Sequence, residues 1–209
     1  MKDNFLNMEQ DMKAFWDKRF SAPEYAYGKE PNSFFRAEID KLKPGRILIP
    51  GAGEGRDAVY AAAKGWEVYC LDLSEEGRTK ALRLADEKGV KIAYDCKNIA
   101  EATYPEEYFD AVGAIFFHLP EDVRKVFYAS ALKWLKPGGN YISELFTPAQ
   151  LQNTSGGPRD LSLLATAKGL ERELGMLDIL TNEETETILD EGSYHQGVAN
   201  VVRFTGRKK

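Results

Sequence analysis

The sequence predicts an α/β fold: a seven-stranded, mostly parallel β-sheet with one antiparallel strand near the C-terminus and helices on both faces. Between residues 46 and 146, short apolar strand patterns alternate with helical patterns. This alternation is typical of parallel strands joined by right-handed helical crossovers. After residue 176, two strand patterns follow each other across a short turn-rich segment, which predicts that these last strands are antiparallel neighbours.

The order of elements follows from hydrophobic spacing and from the residues that end each pattern. Gly65 fits the position after a helix end, where a positive φ is needed, and Ser74 is suited to cap the next helix. Predicted helices cover residues 4–20, 34–42, 56–64, 75–88, 121–135 and 161–174. Predicted strands cover residues 46–50, 66–73, 90–94, 109–116, 141–146, 177–189 and 198–204.

The length of 209 residues predicts a single domain, because one hydrophobic core is usual at this size. We expect residues 1–33 to form an N-terminal helix and a lid segment, and residues 34–209 to form the core. No repeat, low-complexity tract or linker divides the sequence.

Composition restricts the classes of partner and the compartment. The net charge of −5 argues against a basic surface for nucleic acid. Cys70 and Cys96 are isolated, so neither a disulfide framework nor a metal-binding pair is expected. The N-terminus is too polar for a secretory signal, and no apolar run would span a bilayer. We therefore expect a cytoplasmic protein, a monomer or homodimer, whose partner is a small molecule.

A glycine loop, Gly51-Ala52-Gly53-Glu54-Gly55, lies where the first strand turns into a helix. Glycines permit the tight turn and the close approach of a ligand, and the helix start offers free N–H groups. A dinucleotide fingerprint needs its third glycine at the sixth position, where this sequence has Arg56. No Gly-Lys-Ser/Thr follows either, so the loop is not a P-loop.

The pattern G-x-G-x-G resembles motif one of the class I S-adenosylmethionine-dependent methyltransferases, which have a Rossmann-like fold. Asp72 ends the second strand, where an acid can accept hydrogen bonds from both ribose hydroxyls. Asn98-Ile99 follows the third strand, at the place where this superfamily holds adenine. The turn Leu135-Lys136-Pro137-Gly138-Gly139 matches the one before strand five of these enzymes. The resemblance implies that the cofactor is S-adenosyl-L-methionine.

Longer stretches are similar to one branch of this superfamily. Residues 16–32 (WDKRFSAPEYAYGKEPN), 156–160 and 191–197 resemble a bacterial tellurite-resistance-type branch. The loop with Pro50 before it and Asp57 after it is also similar to thiopurine and thiol methyltransferases. Many relatives have an acid at the position occupied here by Ile49. Asp57 could replace that acid in holding the cofactor's ammonium, or it could simply be an anionic residue in the first turn of a helix.

The resemblance implies a set of cofactor-binding residues along one sheet edge. Arg19, Tyr25 and Tyr27 are expected in the lid, whereas the Phe15-Trp16-Phe20 cluster is expected to pack in the core. Arg56 could pair with the methionyl carboxylate or lie in solvent. The predicted cofactor-binding residues are Gly51, Ala52, Gly53, Gly55, Arg56, Asp72, Leu73, Asn98, Ile99, Phe116, Tyr27 and Arg19.

Two histidines are the candidate catalytic residues, and the predicted topology brings both to the same edge of the sheet. His118 follows strand four and could act as a base or orient the acceptor, or it could only pack beside adenine or cap the next helix. His195 could line the substrate pocket or hold its own turn. Glu144, near the end of strand five, is expected to be an ion-paired acid.

The sequence thus predicts a methyltransferase that acts on a small molecule: a thiol, a metalloid oxyanion or a small metabolite. Phe116-Phe117-His118-Leu119 replaces the Asp/Asn-Pro-Pro-aromatic signature of amino-group enzymes, which disfavours methylation of DNA or of protein amides. The alternative is a protein that binds S-adenosylmethionine without transferring the methyl group. A nicotinamide oxidoreductase is disfavoured by Arg56 and by the Pro-Gly-Gly turn.

Overall fold

The computed structural model describes the backbone of residues 2–209 and the side chains of residues 10–209. The apolar positions Phe5 and Met8 of the first predicted helix have side chains outside this described part. The helices are α1 (Lys2–Phe20), α2 (Ser33–Ile39), α3 (Arg56–Ala63), α4 (Glu75–Glu87), α5 (Glu121–Trp134) and α6 (Ala167–Leu174). The strands are β1 (Arg46–Pro50), β2 (Glu67–Asp72), β3 (Ala93–Cys96), β4 (Phe109–Ile115), β5 (Leu135–Phe146), β6 (Asp178–Glu191) and β7 (His195–Arg207).

The seven strands form one sheet in the order β3-β2-β1-β4-β5-β7-β6. Strands β1 to β5 are parallel, and β7 runs antiparallel to both of its neighbours, β5 and β6. The predicted fold class is confirmed, including the single antiparallel strand. The chain moves outward from β1 to β3 and then returns to β4, so the strand order reverses between β1 and β4. Ligands of open α/β sheets bind at such a reversal, beyond the carboxyl ends of the strands.

Both faces of the sheet are buried, which is why its central strands have nearly continuous apolar sequences. Along β1, Leu48 belongs to the core on one face, together with Phe109 and Trp134. Its neighbours Ile47 and Ile49 belong to the core on the other face. The side chains of β1 therefore alternate between two apolar layers, and the glycine loop starts from a rigid, central strand.

Two local predictions about helix ends are confirmed. Ser74 caps α4, because its hydroxyl accepts a hydrogen bond from the Gly77 N–H at 3.0 Å. Gly65 follows α3 with a φ of 91°.

Several predicted boundaries are wrong: α2 ends at Ile39 rather than residue 42, and β7 covers His195–Arg207 rather than 198–204. In three further places, tertiary contacts compete with the local pattern. Strand β3 begins at Ala93 rather than residue 90, since Val90 and Ile92 pack with α4 instead. Strand β5 begins at Leu135 and runs through the Pro-Gly-Gly turn, where Gly138 donates a backbone hydrogen bond to Lys208. The predicted helix over residues 161–174 divides into a short 3-10 turn, Leu161–Leu163, and α6. Between them, the Ala165 N–H donates to the carbonyl of Phe146.

None of the helices in the described part of the chain is long and apolar enough to cross a membrane.

Candidate functional site

The glycine loop joins β1 to α3 at the carboxyl end of the sheet, next to the strand-order reversal. Gly51, Gly53 and Gly55 have φ values of 63°, 50° and 86°, in the left-handed region that other residues rarely adopt. A Cβ on Gly55 would lie 2.6 Å from the Cβ of Ala81, and one on Gly51 would collide with the ring of Phe117. Both conformation and space therefore require glycine here.

Asp72 at the end of β2 holds the loop in place. Its carboxylate accepts hydrogen bonds from the backbone N–H groups of Gly53 and Ser74, both at 2.9 Å. Burial raises the pKa of this carboxyl, although the backbone hydrogen bonds oppose the shift. The Tyr94 hydroxyl donates to the carbonyl of Gly53 at 2.7 Å, which fixes the loop from the β3 side. Each carboxylate oxygen can accept a second hydrogen bond, as a ribose diol would require.

The turn after β3 contributes the next part of this edge. The side-chain oxygen of Asn98 accepts a hydrogen bond from the Ala100 N–H at 2.9 Å, which caps the short 3-10 turn Ile99–Glu101. Ile99 is buried in the core. On the other side, the Leu71 carbonyl accepts from the N–H of Gly51 at 2.7 Å, which places Ala52 and Leu73 at the same edge. The predicted donor-site residues of β1, β2 and β3 are thus on neighbouring segments.

Ile49, the position where many relatives have an acid, faces the core. It is 3% exposed and packs in the same apolar cluster as Phe35 and Ala111. Asp57, the candidate replacement, is buried in the first turn of α3, where it accepts a hydrogen bond from the Asn32 N–H at 2.8 Å. Its pKa is raised by burial.

The N-terminal helix packs over the glycine loop. The Phe20 ring is buried against Gly53 and Gly77, and it stacks on Trp16 with ring centroids 5.5 Å apart. The Asp17 carboxylate accepts a hydrogen bond from the Ser74 hydroxyl at 2.6 Å, which joins α1 to the start of α4. The expectation of core packing is wrong for Phe15, whose side chain is 53% exposed because it lies on the outer side of α1.

Residues 21–32 continue from α1 as the predicted lid segment. The Arg19 guanidinium donates to the Tyr27 hydroxyl at 2.9 Å and lies 3.8 Å from the centre of the Tyr194 ring. A buried ion pair holds the same segment on the loop: Lys80 bonds Glu54 at 2.7 Å and also donates to the Glu24 carbonyl. We did not predict Lys80 or Glu54 from the sequence. Their partners lie on different elements, and no local pattern brings them together.

The Tyr25 hydroxyl donates to the backbone carbonyl of Lys80 at 3.0 Å, so the third predicted lid residue also contacts α4.

Arg56 is buried and does not lie in solvent. Its guanidinium contacts Glu191 at 2.9 Å and donates to the Tyr27 carbonyl at 3.1 Å. Burial disfavours the charged form of the Arg56 guanidinium. The negative charges of Asp57 and Glu191 outweigh this effect and raise the pKa of Arg56. The residue after the glycine loop therefore reaches the turn between β6 and β7.

Three carboxylates from separate elements meet beneath the lid segment; we call Asp57, Glu144 and Glu191 the buried carboxylate cluster. Two guanidiniums face them: Arg56 on Glu191, and Arg203 on Glu144 at 2.6 Å. Burial raises the pKa of Asp57 and of Glu144. Burial also acts on Glu191, but His195 and Arg56 outweigh it and lower its pKa. The prediction of an ion-paired acid at Glu144 is confirmed.

Asn32 bonds all three members of the buried carboxylate cluster. Its backbone N–H donates to Asp57, and its side-chain amide donates to Glu144 at 2.7 Å and to Glu191 at 2.9 Å. The amide oxygen accepts from the Phe35 N–H, which caps α2. Asn32 is fully buried and is a functional candidate that the sequence reasoning missed. Its position before α2 signals a cap, but nothing in the sequence shows where the amide N–H groups point.

His195 begins β7 and is 5% exposed. Its Nδ1 contacts Glu191 at 3.0 Å. Because an ionised carboxylate only accepts, Nδ1 carries the proton and Nε2 has the lone pair. The imidazole packs among three rings, those of Tyr27, Phe116 and Phe146, with centroids 4.5, 4.7 and 5.4 Å away. Burial lowers the pKa of His195, although Glu191 opposes the shift. The neutral imidazole is thus favoured and oriented.

His118 is held by backbone groups on both sides of its ring. Nδ1 bonds the Leu163 carbonyl at 2.8 Å, and the Phe146 N–H points to Nε2 at 3.4 Å. Burial lowers the pKa of His118 to about 4, so the imidazole is neutral at pH 7. Both histidines pack against the Phe146 ring, as expected from the predicted topology. The two histidines differ in their partners: His195 bonds the Glu191 carboxylate through Nδ1 and keeps a lone pair on Nε2, whereas both nitrogens of His118 contact backbone groups.

Phe116, directly after β4, has a φ of 49°, which is uncommon for a residue other than glycine, asparagine or aspartate. Its ring stacks on Phe146 with centroids 4.5 Å apart and meets the edge of His195. Such strained residues persist where the surrounding structure holds them, often at ligand sites. Tyr27, Phe116, Phe146 and His195 form what we call the aromatic cluster, next to the glycine loop and closed on one side by Gly156.

Comparison with known proteins agrees with this geometry. Residues 47–139 match a family model described as a methyltransferase domain. The chain is 27% identical over 154 residues to a 2-heptyl-1-hydroxyquinolin-4(1H)-one methyltransferase of Mycobacteroides abscessus, covering 69% of this chain and 68% of that protein. It is 21% identical to a thiopurine S-methyltransferase of Legionella pneumophila, covering 92% and 96%. The solved structure of TehB from Haemophilus influenzae superposes with a TM-score of 0.71 at 15% identity, over 94% of this chain and 67% of the other.

The matched domain defines an enzyme class in which a methyl group is transferred. Residues 47–139 thus form a methyltransferase domain, and together with the methyltransferase relatives they support an enzyme that uses S-adenosylmethionine as its methyl donor. The residues at the site fit this cofactor: the loop glycines have no Cβ between a ligand and the backbone, and the half-buried Asp72 carboxylate can accept further hydrogen bonds. Among the described residues, no group of three histidine, cysteine or acidic side chains is arranged to bind a metal.

Proposed function

We propose that this enzyme methylates a thiol, a metalloid oxyanion or the acidic hydroxyl of a small metabolite, with His195 as the general base. The supporting observation is the pair of Glu191 and His195, in which Nδ1 is held by a carboxylate and Nε2 has a lone pair. The same arrangement orients the base in many enzymes that activate an oxygen or sulfur nucleophile.

On the donor side, the backbone of residues 51–55 and Asp72 would hold the cofactor's ribose, with Leu73 beside them. Asn98 and Ile99 would contact adenine. The lid residues Arg19 and Tyr27 and the strained Phe116 would close over the methionyl part, with Arg56 holding the lid from below. When bound, the cofactor supplies a sulfonium methyl group for in-line displacement. Catalysis then depends mainly on orientation and on exclusion of water.

Glu191 supports proton uptake at His195, because its carboxylate accepts from Nδ1 and its own pKa is lowered. A proton taken from the acceptor would convert His195 to an imidazolium that pairs with the ionised Glu191. The lowered pKa of His195 keeps its lone pair available at neutral pH.

The aromatic cluster supports a planar acceptor. Tyr27, Phe116 and Phe146 offer ring faces and edges around His195, and aromatic pairs prefer such stacked or edge-on contacts. The names of two relatives specify a hydroxyquinolinone and a thiopurine, each a heteroaromatic ring carrying a reactive oxygen or sulfur. We infer that the acceptor here has similar chemistry. For His118 we propose an orienting role, because backbone groups occupy its ring nitrogens.

The test is a panel of acceptors with the variants H195Q and H118Q. Formation of S-adenosylhomocysteine is measured with thiophenol, a thiopurine, a 1-hydroxyquinolinone and tellurite. General-base catalysis contributes roughly 10²- to 10⁴-fold, so H195Q should lower the rate with hydroxyl acceptors within that range. An alkyl thiol such as the cysteine side chain has a pKa of about 8.5, and an aryl thiol such as thiophenol is more acidic, so the rate with thiophenol should fall less in H195Q.

Equal rates for H195Q and the parent enzyme on every acceptor would refute the proposed base. No S-adenosylhomocysteine from any acceptor, with cofactor binding intact, would favour the alternative of a cofactor-binding protein without transfer activity.

A further inference from the structure

The lid segment reaches Glu191 by two separate routes. At one point the Tyr27 carbonyl accepts from Arg56, whose guanidinium bonds the Oε2 atom of Glu191. At its end Asn32 donates directly to Oε1 of the same carboxylate at 2.9 Å. Oε2 also holds the Nδ1 of His195. Both oxygens of Glu191 are therefore tied to residues 27–32 or to a residue bonded to them.

We propose that Asn32 is a positioning residue that links the seating of residues 21–32 to the orientation of His195, acting through Glu191. The inference rests on the proposed role of His195 as the base. In the closed arrangement, Asn32 fixes the Glu191 carboxylate plane, and that plane fixes the imidazole with Nε2 directed away from Glu191.

The chemistry of the amide explains why asparagine suits this position. One NH₂ group bonds Glu144 and Glu191, which belong to β5 and to the end of β6. Two carboxylates that bond the same nitrogen lie close enough to repel each other, and the shared donor between them offsets that repulsion. The amide oxygen is left for the cap of α2. Aspartate would cap the helix but would add a fourth negative charge, whereas serine would cap it and lack the two donors.

Movement of the lid segment would release Glu191. If residues 21–32 left the site, the Asn32 amide and the Tyr27 carbonyl would leave together, and the Tyr27 ring would leave the face of His195. Glu191 would then retain Arg56 and His195 but lose its orientation. His195 is thus fully oriented only when the lid segment is seated.

The test uses the variant N32S in the full-length protein, because serine keeps an oxygen for the cap of α2 and removes both bonds to the carboxylates. The protein contains two histidines, so ¹⁵N spectra of the imidazoles are simple, and H118Q assigns them. At a pH where both rings are neutral, we expect His195 in the parent to carry its proton on Nδ1. In N32S we expect a mixture in which the Nε2-protonated form gains population.

The matched control is N182S. The Asn182 amide donates to the Ala167 carbonyl, far along β6 from Glu191, so this variant should leave the His195 spectrum unchanged. Limited proteolysis of residues 21–32 provides a second readout and should be faster in N32S only. The rate of methyl transfer should fall roughly tenfold to hundredfold in N32S, the range found when a partner of a site residue is removed.

An unchanged His195 tautomer in a folded N32S would overturn the proposal, and so would unchanged proteolysis of the lid. If N32S does not fold, N32Q answers the same question, since it keeps both donors while displacing them by one methylene. A different result would show that His195 is not the base. In that case H195Q would retain activity, while the tautomer of His195 would still change in N32S.

Discussion

The two halves of the site are built differently. Most of the proposed donor half lies in one short stretch of chain, Gly51 to Asp72, which is shaped by backbone conformation and by hydrogen bonds at strand ends. The acceptor half brings residues 27–32, Glu144, Glu191 and His195 together from distant parts of the chain. Its contacts are ion pairs and hydrogen bonds between buried side chains. Backbone geometry therefore shapes the proposed cofactor-binding half, whereas buried charge shapes the proposed acceptor half.

The largest expected effect tests whether the acceptor half depends on charge pairing. R203M leaves the fully buried Glu144 without its guanidinium, and breaking a buried pair in this way costs about 3 to 5 kcal/mol. Denaturant unfolding should show this loss, while the affinity for S-adenosylhomocysteine should stay within about twofold once the protein is folded. The control is R46M, whose ion pair with Glu67 is exposed and screened by solvent, so its loss should leave the free energy of unfolding nearly unchanged. Equal losses in the two variants would contradict the comparison.

A pH effect of somewhat smaller size concerns His118. Its pKa is about 4 in the folded protein and close to 6.5 when unfolded. Between these values the unfolded chain binds a proton that the folded chain does not, so stability falls as the pH drops from about 6.5 towards 4. The shift corresponds to at most about 3 kcal/mol. In H118Q this part of the pH dependence should vanish. A parent and an H118Q variant with parallel stability curves from pH 7 to 4 would show that His118 is not buried as a neutral base.

In the donor half, G55A should disturb both the fold and cofactor binding. Alanine would have to adopt a φ of 86° and would meet the Cβ of Ala81 at 2.6 Å. Left-handed strain in a residue other than glycine costs about 1 to 3 kcal/mol. Calorimetry with S-adenosylhomocysteine should show weaker binding as well. G89A is the control, since Gly89 also has a positive φ of 67° but its Cβ would meet no atom within 4 Å. That variant should lose stability without losing affinity.

The smallest expected change is in D72N. Asparagine keeps the size of Asp72 but loses the charge that strengthens its hydrogen bonds, each worth about 1.5 to 3 kcal/mol when an ionised group is involved. Affinity for S-adenosylhomocysteine should fall about tenfold or somewhat more. Because the amide nitrogen would replace the acceptor of either the Gly53 or the Ser74 N–H, the free energy of unfolding should fall as well. A D72N variant that binds as tightly as the parent would remove Asp72 from the cofactor site.

The same contrast explains how much the sequence could predict. Gly51, Gly53, Asp72 and the cap Ser74 depend on neighbours within about 20 positions, so their spacing predicted the fold and indicated the proposed donor half. Asn32 contacts Glu191 across 159 positions, and no periodicity in a single sequence connects them. The helix-capping chemistry of asparagine is local and predictable, whereas the direction of its amide is decided by packing.

Two wrong predictions have a similar cause. Val90 has the β-branched character of a strand residue, but its side chain fills the space beside α4 and its N–H bonds the Ala85 carbonyl. Phe15 has the size of a core residue, yet the helix turns it outward while Phe20 takes the buried position over Gly53. In both places, packing against neighbouring elements decides the position of the residue: Val90 lies beside α4 instead of in a strand, and Phe15 faces outward instead of into the core.

The direction of the antiparallel strand β7 determines where the turn between β6 and β7 lies. Because β7 reverses direction, the turn between β6 and β7 returns to the edge where the parallel strands end, and Gly192 packs against the carbonyl of Ala26 there. The proposed base therefore lies at the tip of a hairpin formed by residues 178–207. Because Glu191 at that tip also bonds Arg56 after the glycine loop and Asn32 of the lid segment, a change in the length of the tip would disturb contacts with both of these distant parts of the chain.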